Sequence, residues 1–395
     1  MTSSADETAL IATLLPNRQI ASAAVAAWHA GEAIAPIPIS ATAHEIAERL
    51  TRLRPTHLVD ATGRHPLIDG VPVPADTAAV VTTSGTTGAP KFVELTRSGM
   101  GVMGQGYRAA VAASVDDCWL ACMPLAHVAS LAIVARAYVG GLPFVVHDSF
   151  DLERVGASHD SDGVTMISLV PTVLARLLDA RAPLDRFRCL IIGGAVLPPL
   201  LRARAEAAGA RVVDAYGLTE TWGGCAIDGR PNPGIELRLG PDDEVQVRGE
   251  PVMRAYRFDP GRTEVAFTSD GWYRTGDVGR FEPHHDRLVI VDRLKDLVIS
   301  GGVNVSPTEV EDVLGMHPYV RDVCVIGVAD PEWGERVVAV VVPVDPDRPP
   351  SLTELREFGR DRLSAVKLPR EIRLVDHIPR SASGKALRRF LAGHD

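Results

Sequence analysis

Lysine is nearly missing from this 395-residue chain. Of 41 basic residues only Lys91, Lys295, Lys367 and Lys385 are lysine, and arginine supplies the rest. A lysine kept against such a bias marks a place that needs a compact point charge rather than a planar guanidinium. Basic charge as a whole is also short. The net charge of -9 excludes a general affinity for nucleic acid or for an anionic membrane surface. No apolar run reaches the roughly 18 residues of a membrane-spanning helix. The N-terminal stretch MTSSADETAL is polar and acidic, unlike a secretory leader. Five cysteines are scattered without a CxxC pair. Neither a disulfide framework nor a metal site is indicated, and a reducing cytoplasm is the expected location.

What is present is the balance of a globular protein of two or three domains, with 46% hydrophobic and 23% charged residues. The first 80 residues read as two Ala-rich helices joined by the proline-rich IAPIPIS. Beyond them, apolar runs (AAVVTTS, PFVVHDS, VTMISLV, CLIIGGA, ARVVDAYG) alternate with helical patterns, which predicts a parallel sheet with covering helices. From Gly234 the texture changes to short strands and turns, and after Asp292 to a compact α+β pattern. The expected fold is therefore α/β. A large N-terminal domain of parallel and mixed sheets covered by helices carries a small β-rich subdomain, and a small α+β domain follows it.

Five strings carry chemistry, one of them DRLKDLVISGGVNVSP, residues 292–307, which places Arg293 and Lys295 beside a Gly-Gly turn. TTSGTTGAPKF, residues 82–92, runs from a buried strand into a loop of glycines and hydroxyls ending in Lys91. Glycines let backbone N–H groups converge on an anion, hydroxyls add donors and the lysine adds charge, as a polyphosphate needs. It is not the GxxxxGK[ST] loop of nucleotide triphosphatases, and a flexible linker would lack the strand before it. DAYGLTET, residues 214–221, follows a strand. Tyr216 can cover a flat base, Thr219 can donate to a phosphate, and Glu220 is a hard oxygen ligand suited to magnesium. Alone, that string is better explained as an ordinary turn. GWYRTGD ends in Asp277, a carboxylate able to take both hydroxyls of a ribose, though TGD alone is usually just a turn. IPRSASGKALRR carries Lys385, which by itself reads as a solvated basic tail.

Taken in this order, the strings resemble the adenylate-forming superfamily of acyl- and aryl-CoA ligases, peptide-synthetase adenylation domains and firefly-type luciferases. The resemblance runs from Ala78 to Arg389, and all four lysines fall within or beside its motifs. It implies that Thr83, Ser84, Gly85, Thr86, Thr87, Gly88 and Lys91 hold the ATP phosphates. Gly193, Gly194, Ala195, Tyr216 and Gly217 would line the adenine site, and Asp277 with Arg293 would hold the ribose. Thr219 would bind the α-phosphate and Glu220 the magnesium ion. Lys385 would reach both the substrate carboxylate and the α-phosphate. His127, Val128, Ser130, Leu218, Gly223 and Gly224 would form the acid pocket, with His127 contacting the acid or gating the thiol tunnel. The small residues Gly223, Gly224 and Ala226 are expected to leave room for a bulky acid.

The implied reaction joins a carboxylic acid to coenzyme A through acyl-AMP, using ATP and Mg2+. The acid is expected to be aryl or otherwise bulky, such as o-succinylbenzoate. A carboxylate is ionised at neutral pH, so the first step needs charge neutralisation rather than a general base. The implied domains are an N-terminal core 1–291 with a shortened first subdomain, a hinge 292–296 centred on Lys295, and a mobile lid 297–395. The lid would bring Gly301 and Gly302 to the thioester-forming step. The implied partners are small molecules, with no nucleic acid and no membrane span, and a homodimer is the general prior for assembly. A carrier-protein loading enzyme and a CoA ligase of secondary metabolism share these motifs. One departure from the family pattern is Phe92, where glycine usually follows the lysine.

Overall fold

The computed structural model describes residues 6–83, 90–283, 286–380 and 386–391. The first 80 residues do more than the two expected helices. Helix α1 is Asn17–His29, and α2 is Ala43–Leu53, started by a Thr42–Glu45 capping box. Around them the segment also contributes the strands Leu10–Thr13, Ala33–Pro36, His57–Asp60 and Gly63–Pro66 to one sheet. Ala33–Pro36 lies inside what reads as a proline-rich linker. It is parallel to Leu10–Thr13 on one side and to Thr77–Thr83 on the other, and all four residues are buried. A strand covered on both faces has no polar alternation to betray it, and Pro36 closes it rather than interrupting it.

The same sheet continues through Thr77–Thr83, Lys91–Thr96 and the short strand Ala255–Tyr256. Thr77–Thr83 and Lys91–Thr96 form an antiparallel hairpin with Thr83 opposite Lys91. The connecting Ser84, Gly85, Thr86, Thr87 and Gly88 lie outside the described residues. Side chains alternate along a strand, so Lys91 and Phe92 face opposite ways. Phe92 is buried with Leu10, Ile37, Leu53 and Val80. The bulky residue thus belongs to the core of the sheet. Thr96 accepts a hydrogen bond from the Gly99 amide and starts helix α3, Arg97–Ala110.

The second sheet is the expected parallel one. Its strands Phe144–Val146, Trp119–Ala121, Met166–Leu169, Cys189–Gly193 and Val212–Tyr216 are all parallel in that spatial order. Helix α4, Val128–Gly140, and three more helices connect them. Parallel strands put their C-terminal ends along one edge, so the turns after Ala121, Gly193 and Tyr216 share that edge. The buried Asn17 carboxamide ties α1 to it, donating to the His147 carbonyl and accepting from the Leu125 amide.

By compactness the chain forms two units, Met1–Arg238 with Gln246–Thr275, and Leu239–Val245 with Gly276–Asp395. The second unit contains the antiparallel pair Tyr273–Phe281 and Leu288–Arg293 from Gly276 onward, then an α+β layer. In that layer Val303–Val305, Val298–Ser300, Gly334–Pro343 and Val320–Asp330 lie side by side, with Glu371–Leu374 parallel to Gly334–Pro343. A valine-rich core packs the helices Pro307–Leu314 and Leu352–Gly359 onto it.

One buried cation fixes several segments of the first unit. Arg257 follows the Ala255–Tyr256 strand and is 6% exposed. It donates to Glu94 at 3.2 Å, to the Leu53 carbonyl at 2.8 Å and to the Val71 carbonyl at 2.6 Å. Arg257→Met would strand the buried Glu94 carboxylate and those carbonyls, so it is expected to cost the first unit about 3–5 kcal/mol. Arg248→Met, which breaks the exposed pair with Glu236, should leave stability nearly unchanged, because solvent screens that pair. Denaturant unfolding of the two variants checks this, and equal losses would contradict the structural role given to Arg257.

Candidate active site

The edge of the parallel sheet is stripped of side chains where two of the expected adenine-site segments meet. Gly193 is paired with Ala215, and a Cβ there would stand 2.9 Å from the Ala215 carbonyl oxygen. Gly194 has φ +79 and is exposed, as is Ala195. On the neighbouring strand Tyr216 is half-buried, and Gly217 has no space for a Cβ because the Gly223 backbone fills it. The structure therefore brings Gly193, Gly194, Ala195, Tyr216 and Gly217 to one edge, and leaves a backbone surface that a flat ring can approach.

Beyond Tyr216 the chain turns through the 3-10 segment Thr219–Thr221. Thr219 stays half-exposed, whereas Glu220 is buried. Trp222, held at φ 54, is fully buried and donates from its indole to the Thr96 carbonyl at 3.0 Å. The turn is thereby anchored to the far end of the strand that begins with Lys91. Glu220 meets that region a second time. Its carbonyl accepts from the Met253 amide at 2.7 Å, and its Oε1 accepts from the Tyr256 hydroxyl at 2.8 Å. The Lys91 ammonium lies 4.8 Å above the Tyr256 ring. Burial, followed by the Glu220 carboxylate, pushes the Tyr256 hydroxyl pKa well up, so it remains a donor. Tyr256 carried no signal in the sequence, yet it joins two expected site residues.

Glu220 suits a magnesium ion by its chemistry. It is a hard oxygen ligand, and among the described residues no hydrogen bond or ion pair reaches its second oxygen. No group of three or more His, Cys, Asp or Glu side chains able to hold a metal occurs among the described residues. A single protein carboxylate matches an ion held mainly by nucleotide phosphates and water.

The acid pocket needs correction. Helix α4 starts after His127, which is exposed at its N-terminus. Desolvation, helped by the Arg49 guanidinium, holds the His127 imidazole below the usual histidine range. Val128 and Ala132 face Gly223, whose Cβ position lies 3.7 Å from Val128 Cγ1 and 3.8 Å from Ala132 Cβ. Val128 and Gly223, both expected at the acid pocket, are thus neighbours. Ser130 is buried about 200° round the helix from Val128. Leu218 packs with Cys225, Ile235 and Val247. Gly224 leaves no room for a substrate: a Cβ there would overlap the ring of Tyr107. The absent side chain admits the protein's own tyrosine, whose hydroxyl donates to the Gly223 carbonyl at 3.1 Å. Ala226 likewise is buried, in a strand paired with Tyr216.

One turn beyond Ala132 on the same face of α4 comes Arg136, 5% exposed. Its Nε donates to the Ala132 carbonyl, and its guanidinium sits 4.1 Å from the Tyr107 ring centre and 4.6 Å from that of Trp119. It has no carboxylate partner among the described residues, and its buried Nη1 has no hydrogen bond. A lone arginine in the apolar run VASLAIVARAYVG is the sequence signal for it.

In the second unit Asp277 and Arg293 stand opposite each other across two strands and form a 2.7 Å ion pair, with Asp277 buried. Gly301 and Gly302, at φ +59 and +77, make a two-residue hairpin turn between Val298–Ser300 and Val303–Val305. Lys295 is exposed in the turn Leu294–Asp296. Just before it, the buried Asp292 accepts from Ser306 Oγ at 2.8 Å and the Thr308 amide at 2.9 Å. Lys367 is accounted for by its ion pair with Glu309. Lys385 lies outside the described residues. On either side of it, Arg380 and Ala386 form an antiparallel bridge.

Residues 67–256 match the AMP-binding enzyme family, and residues 309–385 match the AMP-binding enzyme C-terminal domain. The chain belongs to the AMP-binding enzyme family. It is 35% identical over 347 residues to 2-succinylbenzoate–CoA ligase of Bacillus licheniformis, covering 80% of this chain and 70% of that one. It is 35% identical over 336 residues to a probable 2-succinylbenzoate–CoA ligase of Mycobacterium tuberculosis, covering 82% and 85%. Among solved structures it resembles o-succinylbenzoate CoA synthetase (MenE) of Bacillus subtilis in complex with the acyl-adenylate OSB-AMP. The TM-score is 0.85 at 28% identity, covering 99% of this chain and 90% of that one. The same Bacillus protein with ATP and magnesium ion gives 0.83 at 28% identity, covering 98% and 90%.

The Tyr107–Gly224 contact is testable. Gly224→Ala should displace the ring, break the bond to Gly223 and destabilise the protein by about 1–3 kcal/mol. It should also raise KM for the acid while leaving KM for ATP within about twofold. Combining it with Tyr107→Leu should restore part of the stability. Wild-type behaviour of Gly224→Ala would show that the contact does not shape the pocket.

Proposed function

We propose that this protein is an AMP-forming ligase that activates 2-succinylbenzoate with ATP and transfers the acyl group to the thiol of coenzyme A. Family membership and the named relatives support the reaction type. The similarity to relatives named as 2-succinylbenzoate–CoA ligases carries the choice of acid, and Arg136 is the residue we assign to the second carboxylate. A buried guanidinium with no acidic partner and an unpaired Nη1 is costly unless an anion completes it. 2-Succinylbenzoate has two carboxylates. One reacts, and the other remains for a fixed cation on the α4 face that meets Gly223.

In this reading the reacting carboxylate attacks the α-phosphorus of ATP. One P–O bond forms and the bond to pyrophosphate breaks. Lys91 and the hairpin it closes hold the departing phosphates, Thr219 donates to the α-phosphate, and Asp277 with Arg293 binds the ribose. The Gly193–Ala195 and Tyr216 edge takes the adenine. Magnesium, when bound at Glu220, neutralises phosphate charge. Lys385 bridges the two reacting anions. No general base is needed, because the acid arrives ionised. The coenzyme A thiol then attacks the acyl-adenylate carbonyl and AMP leaves. We place the hinge for this second step at 292–296 and assign the exposed Gly301–Gly302 turn to it. His127, whose imidazole is held below the usual histidine range, is assigned to contact the acid or gate the thiol tunnel. Five buried free cysteines fit a reducing cytoplasm, and no helix among the described residues is long and apolar enough to cross a membrane.

Pyrophosphate release measured over a panel of acids tests the reading. The highest kcat/KM is expected with 2-succinylbenzoate, with turnover dependent on free coenzyme A. Arg136→Met should raise KM for 2-succinylbenzoate by about 30-fold or more. It should change KM far less for 4-oxo-4-phenylbutanoate, which lacks the ring carboxylate. Preference for a monocarboxylic acid in the wild type would overturn the substrate while leaving the ligase reaction in place.

A further inference from the structure

We propose that Tyr256 is a positioning residue that presents Glu220 to a divalent cation and holds Lys91 of the phosphate-binding hairpin on its ring. The proposal rests on the ligase reading above and goes beyond it, because it assigns a role to a residue outside the strings singled out in the sequence. Two contacts on one side chain carry it. The hydroxyl donates to Glu220 Oε1 at 2.8 Å, and the ring face lies 4.8 Å below the Lys91 ammonium.

Each contact has a defined consequence. A carboxylate with one oxygen fixed by a donor cannot rotate freely, and its other oxygen is presented in one direction. Hydrogen bonds of this kind from behind a metal ligand typically govern metal affinity by 10- to 100-fold. The aromatic face attracts the ammonium without itself cancelling the charge. A carboxylate in that place would cancel the charge the nucleotide needs.

Tyr256 can fix others because it is itself fixed. It is 4% exposed. It pairs with Val93 across the strands, and its amide donates to Thr263 Oγ1 at 2.9 Å. The flanking Ala255 pairs with Glu94, and Arg257 bonds the Glu94 carboxylate. The Met253 amide holds the Glu220 carbonyl, so this short segment grips the backbone as well as the side chain of the metal ligand. The Tyr273 hydroxyl, 3.5 Å from that of Tyr256, marks the other side of the group.

Tyr256→Phe removes the hydroxyl and keeps the ring. Manganese(II) binding in the presence of α,β-methylene-ATP, followed by electron paramagnetic resonance, should weaken by about 10- to 100-fold in this variant. AMP binding without metal, and conversion of supplied acyl-adenylate to thioester, should stay within about twofold of wild type. In a Glu220→Gln background, Tyr256→Phe should cause no further loss of manganese affinity, since the hydroxyl acts through that carboxylate. Tyr256→Leu should in addition weaken metal-free pyrophosphate binding, because Lys91 loses its platform. Unchanged manganese affinity in Tyr256→Phe overturns the proposal. So does an equal fall in manganese and AMP affinity with a lowered melting temperature, which marks a merely structural residue. So does an additive loss in the double variant. Failure of the ligase reading would show separately, as a wild type that binds manganese and nucleotide but releases no pyrophosphate with any acid.

Discussion

The pairing of Ala255–Tyr256 with Lys91–Thr96 is the constraint on which the nucleotide side of the site depends. It adds one short strand to the edge of a sheet, and that strand carries a tyrosine between a lysine and a glutamate. Lys91 comes from a hairpin and Glu220 from a turn after the other sheet. They are distant in sequence and belong to different layers, and Tyr256 touches both. Arg257 fixes the strand by neutralising Glu94 and capping carbonyls from residues 53 and 71. A buried ion pair is a poor source of net stability. Here its use is register, because a one-residue slip would turn Tyr256 away from Glu220.

The acid side obeys a different logic. Gly217 and Gly224 are small because protein groups occupy the space a side chain would fill. Close approach of the Gly223 backbone and of Tyr107 sets a rigid wall. On the same face of α4, Arg136 lies against the rings of Tyr107 and Trp119, with hydrogen-bonding capacity left over. On the proposed reading, selectivity comes from a fixed charge at a fixed depth. A pocket that is merely wide discriminates weakly among apolar acids, whereas an unpaired buried cation rejects any acid that leaves it unpaired.

Much of this was legible in the sequence. The alternating apolar runs gave the parallel sheet, and residue types at fixed spacing pointed to Lys91, Glu220, Asp277 and Arg293 as candidates; the structure sets Lys91 and Glu220 on Tyr256 and pairs Asp277 with Arg293. The strand Ala33–Pro36 was hidden, since four residues buried on both faces and ending at proline look like linker. Gly224 was misread because a glycine is silent on whether ligand or protein uses its space. Tyr256 was invisible because second-layer residues need no motif, only register. Phe92, which departs from the usual glycine, proved to point into the core behind the hairpin.

The most direct measurement of the central arrangement is anomalous diffraction from crystals grown with manganese(II) and a non-hydrolysable ATP analogue. The account predicts a manganese peak bonded to the Glu220 oxygen that Tyr256 does not hold, with the Tyr256 hydroxyl still on the other oxygen and Lys91 turned toward phosphate. A manganese ion bound to the nucleotide with Glu220 unligated, or Tyr256 rotated off the carboxylate, would contradict it.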